Sequence, residues 1–152
     1  MDSRQITVRQ IEEKDISGWF RLRKLLWDQS TDDEHRAEMS DIYRNMETQL
    51  VVIAENSDGN LIAFLEASIR PFVEDCETDA VGYLEGWFVE TDYRQSGIGG
   101  KLVASAENWA RKRGCTEMAS DSEIGNDLSL RVHQSLGYEE TSRLIHLRKD
   151  LI

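Results

Sequence analysis

The sequence is short of cysteine, proline, positive charge and long apolar runs, and each shortage removes a class of protein. Its two cysteines among 152 residues, Cys76 and Cys115, are too few for a disulfide framework and lack zinc-ligand spacing. Cys115 follows Gly114 at an expected helix-to-strand junction and reads as a small core residue; an acyl-carrying thiolate is the alternative. No apolar run approaches the roughly 18 residues that a membrane span needs. The segment Met1-Asp2-Ser3-Arg4-Gln5 lacks the basic-then-apolar layout of a secretory signal, so a cytoplasmic location is expected. Lysine and arginine number 18 against 29 acidic residues, a net charge of −11, which argues against a nucleic-acid partner. The acidic surplus suits a cationic small substrate, or serves solubility alone. With one proline, Pro71, and no low-complexity linker or internal repeat, residues 1–152 are expected to form a single domain.

What the sequence does contain is a glycine-rich turn, Arg94-Gln95-Ser96-Gly97-Ile98-Gly99-Gly100-Lys101. It follows the apolar run Tyr83-Leu84-Glu85-Gly86-Trp87-Phe88-Val89 and precedes an amphipathic stretch. Closely spaced glycines between a strand and a helix leave backbone N–H groups converging on one spot, where the helix start adds partial positive charge. Arg94 and Lys101 flank the turn with full charges. Paired glycines cost helix stability unless something must approach closely. The turn therefore reads as a cradle for a phosphate-bearing cofactor.

Periodicity supplies the frame. Residues 6–9 alternate like a strand, and Asp15 is placed to cap a helix that runs to about Trp27. A second helix over 35–47 gathers Met39, Ile42, Tyr43 and Met46 on one face. Strands are expected over 50–54, 61–69 and 81–89, the first two joined by a hairpin turn at Ser57-Asp58-Gly59-Asn60. An acidic loop covers 71–79. The helix after the glycine turn carries Leu102, Val103, Ala106, Trp109 and Ala110 on one stripe and stops near Gly114. A short strand at 117–120 precedes a helix over 126–136 with Leu128, Val132 and Leu136 inward, and residues 139–147 read as a last strand. The strand–turn–helix–strand portion is a βαβ unit, whose two strands should be parallel, while the hairpins make the rest antiparallel. The fold class expected is α/β (α+β), a mixed, mostly antiparallel sheet with helices on both faces.

A Rossmann fold would place its glycine turn after the first strand, whereas here it follows the fourth. A Walker loop is excluded by Leu102 after Gly100-Lys101. The order of elements and the turn together resemble the GCN5-related N-acetyltransferase (GNAT) family. Five segments resemble its aminoglycoside 6'-N-acetyltransferase branch: Leu25-Leu26-Trp27; Glu66-Ala67-Ser68-Ile69-Arg70; Leu84-Glu85-Gly86-Trp87-Phe88-Val89; Cys115 through Asp121; and Val132 through Thr141. The resemblance implies acetyl-CoA as co-substrate, an aminoglycoside as acceptor, antibiotic resistance as the consequence, and a homodimer. It implies no metal, because an amine attacks the thioester directly.

The same resemblance assigns the site. Arg94, Gln95, Ser96, Gly97, Ile98, Gly99 and Gly100 would bind the pyrophosphate. The backbone of Trp87, Phe88 and Val89 would take the pantetheine arm, one of its N–H groups facing the thioester oxygen. Asn126 would also contact acetyl-CoA; by its position it is equally a helix N-cap. Glu85, a carboxylate inside an apolar strand, is expensive to bury unless paired. Alternation puts it on the face of Tyr83 and Trp87. It reads either as half of an ion pair within the sheet or, with the family, as an acceptor-side residue that anchors or deprotonates the ammonium. Asp121, at the end of the second parallel strand, caps the next turn or binds a substrate ammonium. Trp27 is core packing or, in the family, a wall against the aminoglycoside, and Phe72 aligns with a substrate-contacting tyrosine. His133 stands where the wider family carries a proton-donating tyrosine; a helix histidine bonded to a carbonyl is the alternative.

Three departures from the branch fall on the acceptor side: Ser30 and Ser142 replace a histidine and a glutamate, and the 71–79 loop is rearranged. Rival readings are the same chemistry on a polyamine or protein amine, and a non-catalytic acyl-CoA-binding module.

Overall fold

The computed structural model describes residues 5–152. Met1 to Arg4, part of the segment on which the N-terminal reading rests, lie outside the described residues. The chain divides into two compact units, one reaching to Ser120 and one from Asp121 to Ile152.

The first unit is a five-stranded sheet in the order β1 (Thr7–Gln10), β2 (Gln49–Glu55), β3 (Leu61–Arg70), β4 (Val81–Val89), β5 (Glu117–Ser120). The first three pairings are antiparallel and β4–β5 is parallel, as the hairpins and the βαβ unit require. Helices α1 (Ile16–Leu26) and α2 (Asp32–Arg44) cover one face, where Trp19, Leu22 and Met39 pack with Val51, Ile53 and Phe64. Helix α3 (Ile98–Lys112) packs on β2, β3 and β4 and buries the stripe read from its periodicity, Leu102 to Ala110. The middle strands, covered on both faces, are buried almost throughout.

Local chemistry revises several helix boundaries. Asp15 does not cap α1 with its side chain. Its carboxylate instead receives the Glu12 N–H and two bonds from Arg9, closing the short 3₁₀ turn Glu13–Asp15. Helix α2 starts earlier than its apolar face suggests, because Thr31 and Glu34 form a reciprocal capping box. Tyr43 turns outward from that face.

The second unit holds α4 (Asp127–Ser135), opened by the Asn126 side chain accepting from the Ser129 N–H at 3.1 Å. Its expected inner face holds only at one end: Leu128 is 66% exposed and Val132 is exposed, Leu136 is half-buried, and His133 is buried. The tail also departs from expectation. Residues 139–152 form no strand, and Leu144, Ile145 and Leu147 are exposed. Alternating apolar residues are only a propensity for a strand; the strand itself also needs a neighbouring edge to complete its hydrogen bonds.

Candidate active site

Two glycines on β4 locate the break that shapes this region. A Cβ at Gly82 would lie 2.9 Å from Ala110 of α3. A Cβ at Gly86 would lie 2.5 Å from Cζ2 of Trp27, at the end of α1. Positions four apart on a regular strand share a face; these two face opposite layers. The reason is a bulge. Leu84 pairs with Ala67 and Gly86 with Glu66, so Glu85 is an extra residue without an opposite number on β3. The bulge overturns the expected grouping of Glu85 with both Tyr83 and Trp87. Glu85 keeps company with Tyr83, while Trp87 passes to the α3 side, its indole 3.6 Å from the Cβ position of Gly99.

At the bulge the Glu85 carboxylate is fully engaged. Arg70 donates from Nη2 to Oε1 at 2.7 Å and to Oε2 at 2.9 Å, and from Nε to Oε2 at 3.2 Å. The Ser68 hydroxyl donates to Oε2. The Arg70 guanidinium also lies 3.6 Å from the centre of the Tyr83 ring. The ion-pair alternative for Glu85 is thus realised, but at a boundary with water, since the Glu85 side chain is 29% exposed and that of Arg70 is 42% exposed. Ser68 and Arg70 were missed as site residues, although their i, i+2 spacing on one strand face was the available signal.

Beside this pair stands Trp27, half-buried, edge-on to Phe64 and 4.8 Å beneath the Arg23 guanidinium. The ring rests on a buried network. Arg23 donates from Nε to Glu66 at 2.8 Å, and Trp19 donates to the same oxygen at 2.8 Å. Burial pushes the Glu66 carboxyl up, against the pull of Arg23. His35 holds the Trp27 carbonyl through Nε2 at 3.0 Å, which makes Nε2 the protonated nitrogen and leaves Nδ1 to accept from Arg23 at 3.3 Å.

The glycine turn is built as its sequence suggests. Gln95 and Gly97 take positive φ, and Gly97, at φ 84°, opens α3 with open space where a Cβ would point. The first N–H groups of a helix have no intrahelical acceptor, and Gly97 at the N-cap has no side chain to accept from them. At Gly99 a Cβ would make only ordinary contact with Trp87, so internal packing does not demand glycine there. What the bare backbone provides is access. Arg94 ties the turn to β4, donating from Nε to the Val89 carbonyl at 2.7 Å with its guanidinium over Phe88. β5 ends at Ser120, opposite Leu84, so the second edge of β4 runs on past the ladder from Glu85 through Trp87 and Phe88 to Val89.

The remaining expected site residues lie on other segments of the chain. Phe72 is exposed in the 71–80 loop, whose far end is fastened by Glu117 accepting from the Glu77 and Thr78 N–H groups. Asp121, Asn126 and His133 belong to the second unit. There Asn126 is the N-cap of α4, and His133 donates from Nδ1 to the Ser129 carbonyl at 2.8 Å, the carbonyl-bonded alternative. That bond leaves Nε2 of a neutral His133 as an acceptor, so delivering a proton from it requires the imidazolium. Burial pushes the Cys115 thiol up, which suits a core residue and not a thiolate.

A model described as the acetyltransferase (GNAT) family matches residues 19–138. Aminoglycoside N(6')-acetyltransferase type 1 of Klebsiella aerogenes is 39% identical over 153 residues, 99% of this chain and 100% of that protein. Its namesake in Salmonella enteritidis is 40% identical over 143 residues, 93% of this chain and 97% of that protein. Among solved structures, AAC(6')-Iy bound to the bisubstrate analog CoA-S-monomethyl-acetylneamine superposes with a TM-score of 0.90 at 39% identity, over 96% of this chain and 99% of that one. AAC(6')-Iy in complex with CoA matches with a TM-score of 0.90 at 40% identity, over 95% of each chain.

Proposed function

The chain belongs to the GNAT acetyltransferase family, in its aminoglycoside 6'-N-acetyltransferase branch, and from this premise we propose that it transfers the acetyl group of acetyl-CoA to the 6'-amino group of aminoglycosides. Acetylation removes a positive charge from the drug, the physical basis of resistance. The observation that carries the reading is local to the first unit: an uncapped helix start at a left-handed glycine lies next to a bulged strand whose edge outruns its ladder, with a carboxylate at the bulge.

The residues divide the work. Main-chain N–H groups of Gln95 to Gly100 would hold the pyrophosphate, with Arg94 fixing the turn to β4. Acetyl-CoA fits these residues because the turn offers donors with no side chain over them; when bound it supplies an activated thioester. The continuing edge at Trp87, Phe88 and Val89 suits an extended pantetheine arm, which hydrogen-bonds as a strand does. Asn126 adds a contact to the same co-substrate. Trp27 forms a rigid wall for the acceptor and Phe72 an exposed aromatic face. Glu85 and Asp121 hold substrate ammonium groups, and Glu85 takes the proton from the attacking amine, directly or through water. His133 returns a proton to the departing thiolate, as imidazolium. Direct aminolysis of a thioester involves no Lewis acid, so no metal is required. We place the protein in the cytoplasm as a homodimer acting on a small cationic substrate, with no nucleic-acid or membrane partner.

The test is a thiol-release assay with acetyl-CoA and kanamycin, tobramycin, spermidine or a peptide amine. Turnover on kanamycin and tobramycin is expected. Turnover on spermidine or the peptide alone transfers the chemistry to another amine. Cofactor binding without thiol release from any acceptor makes the chain a binding module.

A further inference from the structure

Glu85 carries a cation before any acceptor arrives. The Arg70 guanidinium takes both of its oxygens and lies against the Tyr83 ring, so it combines an anion and a π face. These are the two attractions that an alkylammonium ligand uses. The arrangement sits at the bulge beside Trp27, and both charged side chains are open to water.

We infer that Arg70 is a built-in stand-in for the acceptor's ammonium, and that an amine reaches Glu85 only by displacing it. This inference rests on the proposed reading of Glu85 as an acceptor-side carboxylate, and it makes Arg70 a specificity-determining residue. A half-exposed ion pair is weak, so a ligand can replace it. Arg23 and Glu66, by contrast, are buried together and have no such freedom. A singly charged amine must trade a two-pronged guanidinium for one ammonium and gains nothing elsewhere. A polycation keeps its other charges for the acidic surroundings. The loop that follows Arg70 carries four further carboxylates, Glu74, Asp75, Glu77 and Asp79. Arg70 thereby sets the same threshold for every amine, which a polyamine offsets with its other charges and a monoamine does not.

The experiment is titration calorimetry of CoA-saturated protein with tobramycin and with glucosamine, a singly charged amino sugar, on Arg70→Gln, Arg70→Lys, Glu85→Gln and the Arg70→Gln/Glu85→Gln double variant. Arg70→Gln is expected to tighten tobramycin binding by about two- to fivefold, the strength of an exposed pair. Glucosamine should gain by a similar factor, because either amine breaks the same pair. Arg70→Lys, which keeps the charge but loses the fork, should fall between, and carries the test if Arg70→Gln does not fold. In the Glu85→Gln background the Arg70→Gln effect should vanish, which a merely structural role for Arg70 would not produce. Unchanged or weaker amine binding in a folded Arg70 variant with CoA affinity intact, while the unmutated protein turns over tobramycin, overturns this inference alone. Absence of thiol release from any aminoglycoside by the wild-type protein overturns it together with the function on which it rests.

Discussion

Two arginine–glutamate pairs flank the bulge of β4, alike in chemistry and opposite in surroundings. Arg23–Glu66 lies under Trp27 with both side chains almost wholly excluded from water. Arg70–Glu85 lies at the mouth of the same face, with about a third of its surface wet. In the first, desolvation is severe and is offset only because every partner is present: Trp19, His35 and Glu38 complete the shell around Arg23 and Glu66. In the second, water competes with each partner, so the pair contributes little to stability and can be exchanged. The difference teaches that a charged pair near a site is scaffold or ligand mimic according to burial, not residue type.

Breaking the buried pair should have the largest effect. Glu66→Ala leaves the buried Arg23 guanidinium with the more exposed Glu38 as its remaining counter-ion and should cost about 3 kcal/mol. Calorimetric melting would register this as a fall of about 6–12 °C. Next comes Gly86→Ala, whose new Cβ would meet the Trp27 ring at 2.5 Å. A loss of about 1–3 kcal/mol is expected, with a raised KM for the aminoglycoside and an unchanged KM for acetyl-CoA, since the displaced ring lies away from the glycine turn. Glu85→Gln should move stability by less than about 1 kcal/mol yet lower kcat by about a hundredfold or more if the carboxylate accepts the proton. An unaltered kcat would reduce Glu85 to a tether.

The smallest expected effect lies at Asp15. Hydrogen bonds from Arg9 hold its carboxyl below the usual carboxylate range, against the opposing effect of burial. A group whose folded pKa is depressed contributes stability above its unfolded pKa, near 4, and loses it as pH falls through the folded value. Acid unfolding followed by circular dichroism should therefore show Asp15→Asn less stable than wild type at neutral pH and converging with it below about pH 4.

Much of the site was legible because its parts are contiguous. The strand Val81–Val89, the glycine turn and the buried stripe of α3 follow from an apolar run, from a backbone that needs positive φ, and from period 3.6. What failed was non-local. The bulge at Glu85 depends on the register between β3 and β4, and it alone sends Trp87 to the opposite face from Tyr83. Arg70 and Glu85 are 15 residues apart and Arg23 and Glu66 are 43 apart, so neither pairing is written in a motif. The inner face of α4 was misjudged because its apolar residues outnumber what this helix buries; His133, bonded to its own helix, is buried in their place. The tail was read as a strand from propensity, which cannot supply the partner a strand requires.

The sequence by itself determined the order of elements from β1 to α4, the βαβ unit and the bare backbone at Gly97, because each is carried by a local pattern in the chain. Only tertiary structure decided which charges meet, which of the two pairs is dry, and which face each aromatic of β4 presents. Those outcomes depend on one residue's worth of register between two strands and on how much water the packed layers exclude, quantities that exist only once distant segments have come together.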